Sequence, residues 1–275
     1  MSFIDTALRN SDITFRKKFM NAVNYGSGSA KIGPETLNPG ARGYRPDNIM
    51  DSLYNVYLAQ TRPVSLSAAD LERVAKDKIQ RMRKILGLLQ GANWVHLDYG
   101  CGSGMAGAEL SRTLACSYTV LVGKREPIAP GLMYIKTPEL SKLTGETLED
   151  EGVPSVYDII SCFYALQYSD PAPLLKTVAS LLREGGYFLC CGYDVRSEVE
   201  RARATAMYVG SAIHELPPGL SKKEFMARIA TPALHFTSRD ELVRIAHEAG
   251  LAFVGSTDVR ETDGQYFALF SFARA

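Results

Sequence analysis

One turn carries the strongest chemical signal in this 275-residue sequence. The run Val95-His96-Leu97-Asp98-Tyr99-Gly100-Cys101-Gly102-Ser103-Gly104 ends a short apolar stretch on an acid and then alternates three glycines. Glycine lets the backbone turn sharply and approach a ligand with no Cβ in the way. The helix that follows such a turn presents free N–H groups and the positive end of its dipole. A ligand bearing a carboxylate suits that place. A dinucleotide competes for it, because Gly102-x-Gly104-x-x-Gly107 has the same glycine spacing as the dinucleotide fingerprint. That fingerprint starts at the strand end and wants an acid at the end of the second strand. Here it starts four residues after Asp98, and the second strand ends Val122-Gly123-Lys124. The dinucleotide reading is therefore set aside.

The elements that must position this turn follow from hydrophobic periodicity. Ser67 and Asp70 open a helix in which Leu71, Val74, Met82, Ile85 and Leu89 recur at helical spacing before Gly91. Then come a strand (Trp94 to Leu97), a helix (Met105 to Leu114), a strand (Tyr118 to Val122) and a third strand near Met133 to Ile135. An apolar strand from Tyr157 to Phe163 leads to a helix (Leu174 to Leu182) stopped at Gly185-Gly186, and a strand from Tyr187 to Cys191 follows. Residues 195–236 read as helical insertions. Ser238 with Glu241 caps a helix that runs to Ala249, and two strands near Ala252 to Ser256 and Tyr266 to Ala273 form an antiparallel pair. Short continuous apolar strands alternating with helices imply an α/β fold with a mostly parallel sheet covered on both faces. Ligands then bind beyond the carboxyl ends of the strands.

The segment Asp98 to Gly104 resembles motif I of the class I S-adenosylmethionine (SAM)-dependent methyltransferases, in its D-x-G-C-G-x-G form. Tyr157 to Tyr168 resembles that family's fourth-strand motif, and Leu181-Leu182-Arg183-Glu184-Gly185-Gly186-Tyr187-Phe188 its entry into strand five. The likeness runs from about Lys78 to the C-terminus. It implies a Rossmann-like, doubly wound, seven-stranded sheet with an antiparallel last strand, occupying residues 66–275. S-adenosyl-L-methionine is the implied cofactor, and methyl transfer the implied reaction. Gly100, Cys101, Gly102 and Gly104 would line the amino-acid end of the cofactor, with Asp98 orienting the loop or reaching the ammonium through water. Phe163 and Tyr164 would border the methylthio group. The family's strand-two acid for the ribose is replaced by Gly123 or Lys124, and Glu126, a little beyond, is the substitute. Thr137 and Glu139 are the candidates beside the adenine.

The acceptor is less legible. Methyl transfer from a sulfonium needs alignment and exclusion of water, with a base only if the acceptor must lose a proton. Tyr168 and His214 are the candidate catalytic residues, and Gln167, Glu215 and His235 lie in the same regions of sequence. The run Ser169-Asp170-Pro171-Ala172-Pro173-Leu174-Leu175 resembles the branch that methylates small molecules such as quinones. Ala165-Leu166-Gln167-Tyr168-Ser169 partly resembles the cap guanine-N7 branch, with Gln167 in place of a histidine. A third reading is a methyltransferase-like subunit without catalysis. Residues 1–65, rich in Gly, Asn, Pro and Ser, read as a helical and loop extension that forms a lid or partner surface, with 195–236 as a substrate cover.

Composition narrows the rest. A net charge of +1 argues against a nucleic-acid-sized basic footprint. Five cysteines in apolar contexts, with no CxxC pair, suggest buried reduced thiols, no metal site and a cytoplasmic setting. No run reads as a secretory signal or a membrane span. The expected partner is a small-molecule substrate, with capped RNA and a homodimer kept open.

Overall fold

The computed structural model describes residues 67–89, 91–124, 126–137, 140–163, 165–196, 219–229, 235–258 and 265–272, with Tyr54, Leu58 and Ala204. The expectations for residues 1–53, for Glu139, Tyr164, His214 and Glu215, and for most of 195–236 lie outside the described residues. The chain divides into two units, Leu71–Asp194 with Ala233–Ala275, and Met1–Asp70 with Val195–Pro232.

The first unit is built on one seven-stranded sheet. Its strands are β1 (Val95–Tyr99), β2 (Tyr118–Gly123), β3 (Met133–Lys136), β4 (Tyr157–Phe163), β5 (Leu182–Tyr193), β6 (Leu251–Asp258) and β7 (Gln265–Phe272). Their order is β3-β2-β1-β4-β5-β7-β6. Strands β1 to β5 pair in parallel, and β7 runs antiparallel to both β5 and β6. The chain leaves β1 for β2 on one side and later returns to place β4 on the other. The switch point, where a crevice opens, is therefore the carboxyl end of β1.

Side chains alternate across a strand, so each strand feeds both faces. Leu97 and Tyr99 of β1 point into a core shared with Phe188, Cys190, Ala268 and Phe270. Two helices cover it, α5 (Pro171–Leu181) through Leu174, Leu175 and Val178, and α7 (Arg239–Glu248) through Leu242, Ile245 and Ala246. On the other face Leu189, Cys191, Phe267 and Leu269 meet α1 (Ala68–Arg81), α2 (Arg83–Leu86) and α3 (Met105–Leu114) through Ile79, Met82, Ile85 and Leu110. His96 and Asp98 alternate with Leu97 and Tyr99, so the two polar residues of β1 are committed to this second face. A short helix, α4 (Gly145–Asp150), precedes β4 and is capped by Thr144.

Three local expectations change. The single helix before β1 is two, broken at the fully buried Met82, whose N–H is shared between the carbonyls of Lys78 (3.3 Å) and Ile79 (3.1 Å). Such sharing tightens the turn and ends the regular α-helix. Gly185-Gly186 does not cap α5. The chain enters β5 already at Leu182, and pairing with β4 jumps from Tyr157↔Leu182 to Ile159↔Tyr187. The glycines form the bulge between. Gly185 has φ 75°, and a Cβ on Gly186 would stand 2.8 Å from the Arg183 carbonyl. Ser238 does cap α7 through the Glu241 N–H (3.2 Å), but the Glu241 carboxylate turns to Arg244 at 2.7 Å instead of closing a box.

In the second unit, helix α6 (Lys222–Ile229) carries a capping box that the periodicity reading passed over. Ser221 Oγ accepts from the Glu224 N–H at 3.3 Å, and the Glu224 carboxylate accepts from the Ser221 N–H at 2.9 Å. Tyr54 is helical, and its ring lies 5.2 Å from Phe225 while its hydroxyl donates to the Leu220 carbonyl at 3.2 Å. The extension and the insertion, read separately in the sequence, thus touch within one unit. No helix among the described residues is long and apolar enough to cross a membrane.

Leu174, fully buried between α5 and the sheet, tests this layering against Phe253, which is 44% exposed on the edge strand β6. Leu174→Ala is expected to cost about 2–5 kcal/mol in urea denaturation. Phe253→Ala is expected to cost well under half as much in the same measurement.

Candidate cofactor and active site

The glycine turn sits at the carboxyl end of β1. Gly100, Gly102 and Gly104 have φ of 80°, 55° and 75°, a backbone region that a side chain disfavours. The N–H groups of Gly100 and Cys101 both donate to the Val122 carbonyl at 2.9 Å, which ties the turn to β2. The Ser103 carbonyl accepts from Ile128 (2.9 Å) and Ala129 (3.1 Å), so the segment after β2 folds back under the tip of the turn. A Cβ on Gly104 would collide with Leu121 and Pro127 at 2.7 and 2.8 Å, whereas a Cβ on Gly102 would meet nothing within 4 Å. Gly104 is therefore a packing glycine, and Gly102 faces open space. Gly104 is also the N-cap of α3 and offers no side-chain acceptor to the helix N–H groups. Burial pushes the Cys101 thiol up to about 12, so it is not a nucleophile at neutral pH.

Asp98 does not point into the turn's open side. Its carboxylate is 2% exposed and accepts from the Ser161 hydroxyl at 2.7 Å and from the Gly107 N–H in the first turn of α3. The β1–β4 register sets Ser161 beside Asp98. Ser161 also meets His96 Nε2 at 2.8 Å. A hydroxyl has one hydrogen, and an ionised carboxylate can only accept, so Ser161 donates to Asp98 and His96 donates from Nε2. His96 Nδ1 finds no partner among the described residues. Burial holds the His96 imidazole down at about 3, hence neutral. Burial pushes the Asp98 carboxyl up to about 6, against the pull of Ser161, the Lys78 ammonium and the Gly107 N–H.

Strand β2 ends at Gly123, with no acid at the strand end. The Gly123 carbonyl accepts from the Tyr134 hydroxyl at 3.0 Å and from the Thr137 N–H at 2.9 Å. Burial, then Cys101 and Glu126, raises the Tyr134 hydroxyl pKa. The exposed Glu126 and the glycine turn are thus neighbours of one phenol at the β2–β3 edge. Thr137 also lines a second cavity with Lys136, Lys142, Thr147 and Glu151.

Phe163 ends β4, is buried, and carries the Lys78 ammonium over its ring at 5.6 Å. Tyr168 is 39% exposed on the 3-10 turn Leu166–Tyr168 that follows. The structure also joins residues that the sequence keeps far apart. The His235 N–H donates to the Gln167 carbonyl at 2.9 Å. Gln167, His235, Tyr193, Phe236 and Tyr266 line a small cleft at the carboxyl ends of β4 and β5. Sequence reasoning missed Tyr193, Phe236 and Tyr266 here. Their only signal is aromatic character at the ends of apolar runs, which core packing explains equally well.

A doubly wound sheet in this strand order, with a glycine turn at its switch point, defines the class I methyltransferase fold. Residues 67–255 match the family model described as a methyltransferase domain, and the chain belongs to that family, whose methyl donor is SAM. Over 194 residues it is 26% identical to the sterol 24-C-methyltransferase of Candida albicans, covering 65% of this chain and 50% of that one. It is 25% identical over 185 residues to the ubiquinone biosynthesis O-methyltransferase of Aeromonas salmonicida, covering 64% and 67% respectively. The chain thus spans half of one of these relatives and two thirds of the other. In fold it is similar to a chain of the complex between the Haloferax volcanii Trm112 methyltransferase activator and a methyltransferase. That match has TM-score 0.50 and 14% identity, over 74% of this chain and 94% of that one.

Gly107 tests the contact between α3 and Asp98, because a Cβ there would lie 2.4 Å from Asp98 Oδ2. Alanine ordinarily gains about 1 kcal/mol over glycine inside a helix. Gly107→Ala is expected to lose about 1–3 kcal/mol in denaturant unfolding instead.

Proposed function

We propose that the chain transfers a methyl group from SAM to a small-molecule acceptor. The observation that carries this is the turn at Gly100, Gly102 and Gly104, left-handed at all three glycines and open at Gly102, in a chain of the methyltransferase-domain family. The two relatives named for a sterol and for ubiquinone biosynthesis support a small acceptor. So does the tight passage from β4 through one 3-10 turn into α5, with no inserted segment.

The residues fit the cofactor as follows. Backbone at Gly100, Cys101, Gly102 and Gly104 lines its amino-acid end, with the uncapped N-terminus of α3 beneath the carboxylate. Asp98 orients this loop from behind and does not itself bind the ammonium, a role that its bonds to Ser161 and Gly107 support. Glu126 takes the place of the strand-two acid at the ribose, and its charge next to Tyr134 supports that placement. Thr137 stands toward the adenine, and Phe163 with Tyr164 borders the methylthio group. When bound, the cofactor supplies an activated methyl on a sulfonium. The protein's work is alignment and exclusion of water. Tyr168 presents a ring to the acceptor, and His235, beside Gln167, joins His214 as a candidate to take a proton from an acceptor hydroxyl.

Calorimetric titration with SAM, S-adenosylhomocysteine (SAH) and NAD tests the reading. Both sulfur ligands are expected to bind in the micromolar range and NAD not at all. Gly102→Val should weaken SAH at least tenfold while thermal unfolding stays cooperative, and unchanged affinity would remove the turn from the site. Glu126→Gln is expected to weaken SAH severalfold without changing the melting temperature. In turnover assays, methylation of phenols or quinols supports a small acceptor, and methylation of capped RNA alone would overturn it.

A further inference from the structure

We propose that Lys78 is a positioning residue for the glycine turn. Its ammonium, seated over the Phe163 ring, is the buried counter-charge of Asp98, and Asp98 in turn holds the first turn of α3. This rests on the cofactor reading above for its binding readout, but not for its structural one.

Four observations lead to it. Lys78 is on α1, outside every motif of the β1 turn, yet its ammonium lies 5.6 Å from the Phe163 ring centre, at the carboxyl end of β4. An aromatic face attracts a cation there, the more so when water is excluded. Second, Asp98 and Lys78 act on each other. Burial opposes both charges, Cys191 and then Asp98 favour the charged amine, and the ammonium favours the charged carboxylate. Ser161, which donates to Asp98, and Phe163, which lies under the ammonium, are two residues apart on β4 and so face the same side of the sheet. Third, Asp98 is the joint between three elements, with Ser161 of β4 donating at 2.7 Å, the Gly107 N–H donating from α3, and Asp98 itself on β1. Fourth, the space between Asp98 and α3 is closed to a methyl group, as the 2.4 Å approach at Gly107 shows, so α3 follows the carboxylate closely.

Protonation of Asp98 changes this joint. The carboxylate accepts two bonds, one from Ser161 and one from Gly107. The neutral acid must place its own hydrogen, and toward Ser161 that forces the hydroxyl to donate to His96 Nε2 instead. His96 would then carry its hydrogen on Nδ1, a buried position with no acceptor among the described residues. With the ionised acid, His96 Nε2 donates to Ser161 and Ser161 donates to Asp98, so each hydrogen of the chain has an acceptor. A charge-assisted bond to Gly107 is also stronger than a neutral one. Asp98 faces several other titratable groups. These are His96 on its own strand, Cys101 just beyond it and Cys162 on β4, with Cys191 of β5 beside Lys78. Burial pushes the Cys101 and Cys162 thiols up and keeps the His96 imidazole neutral at pH 7. Lys78 alone supplies positive charge among them.

The test compares the wild-type chain with Lys78→Met and Lys78→Arg. Carboxyl carbon NMR of Asp98, without any ligand, reads the joint directly. The wild-type carboxyl should titrate near pH 6. In Lys78→Met it should titrate at least about one pH unit higher, and in Lys78→Arg close to the wild type. Calorimetry with SAH from pH 5.5 to 9 reads the consequence. Lys78→Met should lose roughly threefold or more in affinity near pH 6.5 and recover most of it by pH 9, with Lys78→Arg restoring the wild-type profile. An Asp98 titration unmoved in Lys78→Met overturns the proposal, as does an affinity loss equal at every pH. If Lys78→Met does not fold, the same two measurements on Lys78→Arg and on Lys78→Gln decide it. If the wild type binds no SAH at any pH, the cofactor reading fails, and the Asp98 titration still decides the role of Lys78.

Discussion

A buried carboxylate between two strands and a helix is the constraint on which the site depends. Asp98 is 2% exposed, takes the Ser161 hydroxyl from β4 and the Gly107 N–H from α3, and has the Lys78 ammonium as its counter-charge. It works against folding. A carboxyl whose value rises from 3.8 to about 6 in the fold binds its proton more tightly than the unfolded chain does. Its contribution to stability is therefore full below the unfolded value and lost as pH rises through about 6, a cost on the order of 3 kcal/mol at neutral pH. A residue kept for packing would have no reason to be charged there. The charged form is the one that takes bonds from both Ser161 of β4 and Gly107 of α3.

The turn itself is held from three sides. Val122 of β2 accepts two of its N–H groups, Ser103 is fastened to the segment after β2, and Gly104 packs against Leu121 and Pro127. Only Gly102 is left facing open space. The glycines here thus have different reasons to be glycine. At Gly104 and Gly107 the reason is contact, and at Gly100 and Gly102 it is a left-handed backbone, which Gly104 shares. The backbone of the turn is fixed in this way before any ligand arrives, so little ordering is left for binding to impose.

Strand β2 ends without an acid, and its last carbonyl, Gly123, is engaged by Tyr134 of β3 and by Thr137 just beyond it. The chain then doubles back to the turn through Ile128 and Ala129, with Glu126 near Tyr134. The contact between Gln167 and His235 closes a stretch of nearly seventy residues, and with Tyr193, Phe236 and Tyr266 gives the carboxyl ends of β4 and β5 an aromatic lining.

The sequence by itself determined the layers, the strand-to-helix turn and the class of cofactor. Apolar periodicity marks elements that bury whole faces, and glycine marks backbone that other residues cannot follow. Both are local signals, so the seven strands, the antiparallel β7 and the motif from Asp98 to Gly104 were legible from residue order alone. Tertiary structure decided what depends on which faces meet. The glycines at 185 and 186 announced a break in regular structure, but only pairing with β4 made it a bulge inside β5 and not the cap of α5. Asp98 read either as orienting the loop or as reaching the ammonium through water, and the alternation of β1 turned it onto Ser161 and Gly107. Lys78 drew no reading of its own, because nothing in its segment announces the ring of Phe163 or a carboxylate twenty residues away. Electrostatic partners are chosen by distance in space, and sequence spacing holds no record of that distance until the sheet has formed.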